Sequence, residues 1–167
     1  NTSWNRVSDK ELLIAIDQSS FTLKQYMWTI EKRAEILVDI SRRSLALDRL
    51  DLKTVDDGYL SIYGGFSDNS NYAISLEFEN APLETITPRM KNLSLKGNAT
   101  GLLQFRKEDG RYEPKFNLSV NDLLVNNKFL GFFNGVVAGG GNADIYTIQA
   151  DVLNSGRATL ELSGILN

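Results

Sequence analysis

The chain has 167 residues, of which 42% are hydrophobic and 23% charged, and this is enough to bury the core of one soluble domain. Its net charge of −3 supplies no basic surface for nucleic acid, and the absence of cysteine and histidine excludes disulfides, thiolate chemistry and the most common zinc ligand. No apolar run reaches the roughly 18 residues of a membrane-spanning helix. We therefore expect no cofactor and no enzyme activity.

Apolar residues recur at every second position, and this alternation predicts strands that each carry one apolar face. In the first half of the chain it covers residues 12–16, 21–23, 28–30, 36–40 and 45–52. The phase slips by one residue after Leu47, which predicts a bulge or a turn. The later alternating segments are residues 60–62, 74–78, 93–95, 103–105, 116–120, 123–125, 148–152 and 160–162.

Turn-forming residues separate these segments and predict tight reversals between antiparallel strands. They are Asp57-Gly58, residues 67–71, Asp109-Gly110, Asn126-Asn127 and residues 139–142. Residues 82–90 depart from the alternation because they begin near one proline and end near another, and we expect a short helical turn there.

About twelve short strands could form a sandwich, a barrel or an open trough, since period-two alternation is common to all three. The apolar positions are mostly Leu, Ile, Val and Phe from end to end. This uniformity favours an all-β fold in which a curled, mostly antiparallel sheet forms an open trough with an apolar inner face.

Several passages carry a resemblance to a known family. A strand with Trp28 is followed by alternating strands, a strand ending in Gly64-Gly65 and a small–Pro–Leu passage at residues 81–83. Residues 93–101 read Leu-Ser-Leu-Lys-Gly-Asn-Ala-Thr-Gly, and residues 118–131 combine a strand, an Asn-rich hairpin and Leu-Gly. In these features the chain resembles the TamB-type branch of the AsmA-like superfamily of translocation and assembly module proteins, in a Bacteroidetes-like version. Phe132-Phe133 and the Gly139–Gly141 run depart from the family pattern.

The resemblance implies a position for the chain within a longer protein. Residues 28–167 would be a β-taco-like trough segment from the C-terminal half of the parent, and residues 1–27 the end of a preceding β repeat unit. The parent would be anchored in the inner membrane, cross the periplasm and meet an Omp85-type outer-membrane protein. Its groove would carry phospholipid acyl chains or shelter outer-membrane protein strands, a role in cell-envelope biogenesis and secretion.

The longest apolar rows are the expected lining of such a groove. They comprise Ile36, Val38, Ile40, Ile74, Leu76, Phe78, Phe116, Leu118 and Val120. The alternative interpretation is that these rows fill the closed core of a β-sandwich, in an adhesion or binding module of a cell-surface protein whose loops bind the partner.

Without histidine, paired carboxylates are the remaining catalytic option. The candidates are Asp56 with Asp57, Glu77 with Glu79, and Asp144. Asp56 and Asp57 precede a glycine as turn residues do, and Glu77 and Glu79 flank Phe78 as residues of a solvated strand face do. Residues 68–71 have some calcium-loop character but lack the twelve-residue spacing of such a loop. We expect turns and surface side chains at all of these positions.

Overall fold

A computed structural model describes residues 2–67, 71–87, 92–139 and 146–166, and these form strands with one short helix. The first strands are β1 (Thr2–Arg6), β2 (Glu11–Ile16), β3 (Ser19–Leu23), β4 (Tyr26–Ile30), β5 (Ala34–Asp39), β6 (Ser44–Thr54), β7 (Tyr59–Ser67) and β8 (Asn71–Pro82). The helix α1 (Leu83–Ile86) follows. The remaining strands are β9 (Leu95–Glu108), β10 (Arg111–Val125), β11 (Lys128–Gly139), β12 (Tyr146–Asn154) and β13 (Arg157–Leu166).

The thirteen strands of the described residues belong to one sheet. Eleven of them follow the order β1-β2-β5-β6-β7-β8-β9-β10-β11-β12-β13, and the described pairings are antiparallel. The β3–β4 hairpin joins the sheet through β4, which pairs with β6. β1 and β13 stand at opposite ends of this order, so the sheet formed by the described strands is open and not closed into a barrel. The all-β, mostly antiparallel prediction is confirmed.

The predicted reversals that fall within the described residues are present. Asn126 and Asn127 both have positive φ, of 51° and 62°, which two-residue hairpin turns require. Asp57 and Asp109 also have positive φ, each just before a glycine. Residues 68–70 and 140–145, within or beside the other two predicted reversals, lie outside the described residues.

The phase slip after Leu47 is a β-bulge. The register of β6 against β7 shifts between Leu47 and Leu50, and both residues remain on one continuous strand. A bulge adds a residue to one strand without moving the next apolar residue to the other face. The prediction of a helical turn is also confirmed, since α1 forms at its start; residues 88–91 lie outside the described part of the chain.

The two ends of the strands differ in what they carry. At one end lie α1, the turn at Asp57 and the turn at Asn126-Asn127, and we call it the helix end. At the other lies the turn at Asp109-Gly110, and we call it the far end. The buried core lies toward the helix end. It has two clusters, one of Trp28, Ile30, Leu52, Leu60, Phe78 and Ala81 and one of Leu83, Ala99, Val120 and Leu123.

Candidate functional site

Cross-strand register aligns apolar residues into rows that run across the sheet. Partners directly opposite one another in antiparallel strands lie on the same face, so a chain of partners defines one row. The first row is Ile30, Leu52, Leu60, Phe78, Gly101, Leu118, Gly135, Ala150 and Leu162. It therefore extends from β4 to the last strand.

Two further rows lie on the same face, each displaced by two residues along the strands toward the far end. The second row is Leu50, Ile62, Leu76, Leu103, Phe116, Val137 and Ile148. The third row is Trp4, Ile14, Ile36, Leu47, Gly64, Ile74 and Phe105. We call these three rows the apolar face.

The register brings eight of the nine expected groove residues to this one face. Ile36 and Ile74 share the third row, Leu76 and Phe116 the second, and Phe78 and Leu118 the first. Val38 and Val120 lie two residues further along β5 and β10, so they face the same way. Ile40 lies just beyond the end of β5 and is 65% exposed.

Burial along the apolar face changes from one end of the strands to the other. In the first row Phe78 is only 3% exposed. The second row is half-buried. In the third row Ile74 is 38% exposed and Phe105 46%, and the two are cross-strand partners. On β8 and β9 the apolar side chains are thus covered near the helix end and open to water near the far end, whereas at the β13 end of the first row Leu162 is 58% exposed.

The helix end of this face is covered by α1 and by the tip of the β3–β4 hairpin. Leu83 of α1 packs with Ala99 and Val120, which places the helix over the apolar face. Glu84 of the same helix accepts hydrogen bonds from the hairpin tip, from Gln25 Nε2 at 3.1 Å and from the Tyr26 hydroxyl at 2.9 Å. These contacts join segments about sixty residues apart in the chain.

The opposite face carries a polar network centred on Arg49. Its guanidinium donates to Asp51 Oδ1 at 3.0 Å and to Glu77 Oε2 at 2.7 Å, and it lies 5.1 Å from the centre of the Tyr63 ring. The Tyr59 hydroxyl donates to the same Asp51 oxygen at 2.6 Å. The network ties β6, β7 and β8 together on the side away from the apolar rows.

Asp51 gives this network a pH dependence. Burial acts to raise the pKa of the Asp51 carboxyl, but the hydrogen bonds from Tyr59 and Arg49 outweigh it and hold the pKa below its ordinary value. A carboxyl whose pKa is lowered in the folded state stabilises the fold above its unfolded pKa, and this contribution is lost as the pH falls through the folded value.

We expect Asp51→Asn to lower the free energy of unfolding at pH 7 by about 1–3 kcal/mol, the range for hydrogen bonds to a charged group. The difference from the parent should shrink toward pH 2, because the parent loses the same charge there. Urea unfolding at pH 7, 5, 3.5 and 2 measures this convergence. Asp48→Asn, on an exposed residue of the same strand, is the control and should track the parent. A difference that stays constant with pH would contradict the assignment.

Among the described carboxylates considered as catalytic candidates, only Glu77 and Glu79 border a common depression, an open one of about 350 Å³. Asp56 and Asp57 are exposed in the turn between β6 and β7, and Glu77 is engaged with Arg49. Glu79 is exposed on β8, and Asp144 lies outside the described residues. Within residues 2–67, 71–87, 92–139 and 146–166 no group of three acidic side chains is placed to hold a metal ion.

Sequence reasoning did not anticipate the parts of this site that depend on distant contacts. It identified the strand with Trp28 but not its burial, and it assigned no role to Glu84, Gln25 or Tyr26. The local signal for the hairpin was weak, because its turn residues are Lys24 and Gln25, and Lys24 takes positive φ without being Asn, Asp or Gly.

The helices of the described part of the chain include none that is long and apolar enough to span a membrane.

The apolar rows, their exposure and their covered helix end are features of this chain's own structure. Comparison with protein-family models, with curated proteins and with solved structures found no match.

Proposed function

We propose that the apolar face is a surface along which phospholipid acyl chains lie. The observation that carries this proposal is the continuity of the apolar rows from strand to strand, together with their exposure toward the far end. Soluble domains rarely leave contiguous apolar side chains in water unless something binds there. Covering such a surface contributes about 25 cal/mol per Å², so an acyl chain laid along it is stabilised by its length and not by any single contact.

The shape that suits this role is a curled sheet with the apolar face inside. Glycines with positive φ and β-bulges are the devices that curve a sheet, and Gly64, Gly101 and Gly131 all have positive φ within strands. A trough of this shape keeps acyl chains dry while their head groups stay in water. The same face could shelter the alternating strands of an outer-membrane protein.

The biological setting of this proposal follows the resemblance to TamB-type proteins. In it the chain is a periplasmic segment of a longer bridge, anchored in the inner membrane and joined to an Omp85-type partner in the outer membrane. The chain performs no chemistry and needs no cofactor. Its contribution is a continuous apolar surface between the two membranes.

Co-purification of lipid tests the proposal. The chain is purified without detergent, extracted into organic solvent, and phospholipid is quantified per chain. Phe105→Asp places a charge on the open part of the apolar face, and we expect it to reduce bound phospholipid roughly tenfold, since a carboxylate among acyl chains is costly.

Leu37→Asp is the matched control. Leu37 is 41% exposed, close to the value for Phe105, but it lies on the opposite face because its neighbours in β5, Ile36 and Val38, belong to the apolar side. We expect this variant to keep its phospholipid. Absence of lipid from the parent, or equal loss in both variants, would contradict an acyl-chain surface on this face.

A further inference from the structure

The β3–β4 hairpin is held to the rest of the sheet by few backbone pairs. In the described sheet β3 pairs only with β4, and β4 pairs with β6 only at Trp28, Thr29 and Ile30. The tip, which we define as Lys24, Gln25 and Tyr26, extends beyond this pairing. Segments with so few sheet contacts open locally at a lower free energy than the centre of a sheet.

Side chains of the tip bond to one short stretch of the chain. Gln25 Nε2 and the Tyr26 hydroxyl both donate to Oε1 of Glu84, and Lys24 Nζ donates to the backbone oxygen of the same residue. Lys24 Nζ also lies 3.4 Å from the backbone oxygen of Thr87. Burial raises the pKa of Tyr26, so its hydroxyl keeps the proton that it donates. Glu84 is thus the common acceptor for the tip.

The position of these contacts makes them a cover over the apolar face. In the sheet, β6 and β7 lie between β4 and β8, and α1 follows β8 in the chain. The tip and α1 therefore meet above the helix end of β6 and β7. Leu83 packs on Ala99 and Val120, and this contact holds α1 against the apolar face. Trp28 packs in the cluster with Phe78 and Ala81 and is only 1% exposed. Trp28 is the largest fully buried side chain of the described residues, and it belongs to β4 of the hairpin itself.

The covered state leaves one polar group unsatisfied. Trp28 Nε1 is buried and has no hydrogen-bond partner among the described residues. A buried donor without an acceptor is unfavourable, and native proteins seldom keep one. Opening of the cover would let water or a ligand oxygen accept from this nitrogen. The covered state is therefore stabilised by the bonds to Glu84 and opposed by the unpaired indole.

We propose that Lys24, Gln25 and Tyr26 with Glu84 form a latch, and that its release swings the β3–β4 hairpin away from α1 and opens the helix end of the apolar face. Entry of lipid through this opening rests on the proposed function, whereas the opening of the latch itself does not. Release of the latch opens the helix end of the apolar face in addition to the far end. Passage of an acyl chain along the face requires both ends to be open.

Hydrogen–deuterium exchange of the full chain tests the latch. Glu84→Ala removes the acceptor of two side-chain bonds, and we expect amides of residues 19–30 to exchange roughly tenfold faster while those of β8 to β10 keep the parent rate. Glu79→Ala, which removes an exposed carboxylate near the end of β8, should leave the hairpin unchanged. Unchanged exchange of the hairpin in Glu84→Ala, or an equal rise throughout the sheet, would overturn the proposal.

A milder variant covers the case in which Glu84→Ala does not fold. Tyr26→Phe keeps the ring and removes one bond to Glu84, and we expect a local rise in hairpin exchange of roughly threefold to tenfold. A rise confined to residues 19–30 supports the latch. Parent-like exchange in a folded Tyr26→Phe chain would overturn it.

A lipid measurement separates the latch from the proposed function. In a Trp4→Phe background Trp28 is the only tryptophan, and its emission is recorded with dihexanoylphosphatidylcholine below its micelle concentration. A larger emission change in Glu84→Ala than in Glu79→Ala supports the latch as an entrance for lipid. Faster hairpin exchange with no effect of lipid on Trp28 supports the latch and counts against the proposed function alone.

Discussion

Replacing Phe78 by alanine is expected to lower the free energy of unfolding by about 3–5 kcal/mol, the range for a large aromatic side chain removed from a packed core. Phe78 belongs to the first row and is 3% exposed. It packs with Trp28, Leu60 and Ala81, which themselves come from three different strands. Loss of its ring would leave a cavity that the paired backbones around it cannot close.

Ile74→Ala is the matched control for this prediction. Ile74 lies four residues earlier on the same strand and on the same face, but it is 38% exposed. Its truncation should cost about 1 kcal/mol, because much of the side chain already lies in water. Guanidinium unfolding followed by circular dichroism compares the two. Equal losses of stability would show that the gradient of burial along the apolar face does not exist in solution.

Replacing Gly64 by alanine should have the second-largest effect, a loss of about 2–4 kcal/mol. Gly64 has a φ of 120°, a conformation that L side chains rarely adopt, and a Cβ on it would overlap the backbone oxygen of Ala73 on the neighbouring strand. It lies in the third row between Leu47 and Ile74. We expect the variant to lose both the local backbone conformation and the register of β7 against β8.

Gly164→Ala provides the comparison for Gly64→Ala. Gly164 also lies within a strand, but a Cβ there would meet no atom within 4 Å, and its φ is not in the left-handed region. Its replacement should change the free energy of unfolding by no more than about 0.5 kcal/mol. Thermal unfolding of the two variants and the parent compares their stabilities. A Gly64→Ala protein as stable as Gly164→Ala would mean that β7 does not approach β8 in the way described.

Local chemistry in the sequence was sufficient to predict the strands and the turns between them. Alternating Leu, Ile and Val marked the segments, since side chains on a strand alternate between faces regardless of what the strand pairs with. Asn126-Asn127 and Asp109-Gly110 marked reversals because their own φ preferences select the turn. Even the bulge after Leu47 was visible, because an added residue shifts the apolar phase within a single strand.

Contacts between distant segments determine which residues of the apolar face are buried, and the alternation of apolar residues does not predict this. The sequence shows that Ile74 and Phe78 lie on one face of a strand, but they differ in exposure because Phe78 packs against Trp28 and Ile30 of the β3–β4 hairpin. The bonds from Gln25 and Tyr26 to Glu84 join positions that are 59 and 58 residues apart, respectively, and no local pattern encodes them.

The sequence by itself determined that this protein is a series of antiparallel strands with one apolar face, because strand formation, turn type and side-chain alternation each depend on residues close together in the chain. Only the tertiary structure decided that the described strands form one open sheet, which end of the apolar face is covered on the central strands, and that Arg49, Asp51 and Glu77 meet on the opposite side. The physical reason is that register and burial are set by contacts between residues far apart in sequence, whose partners a local pattern does not specify.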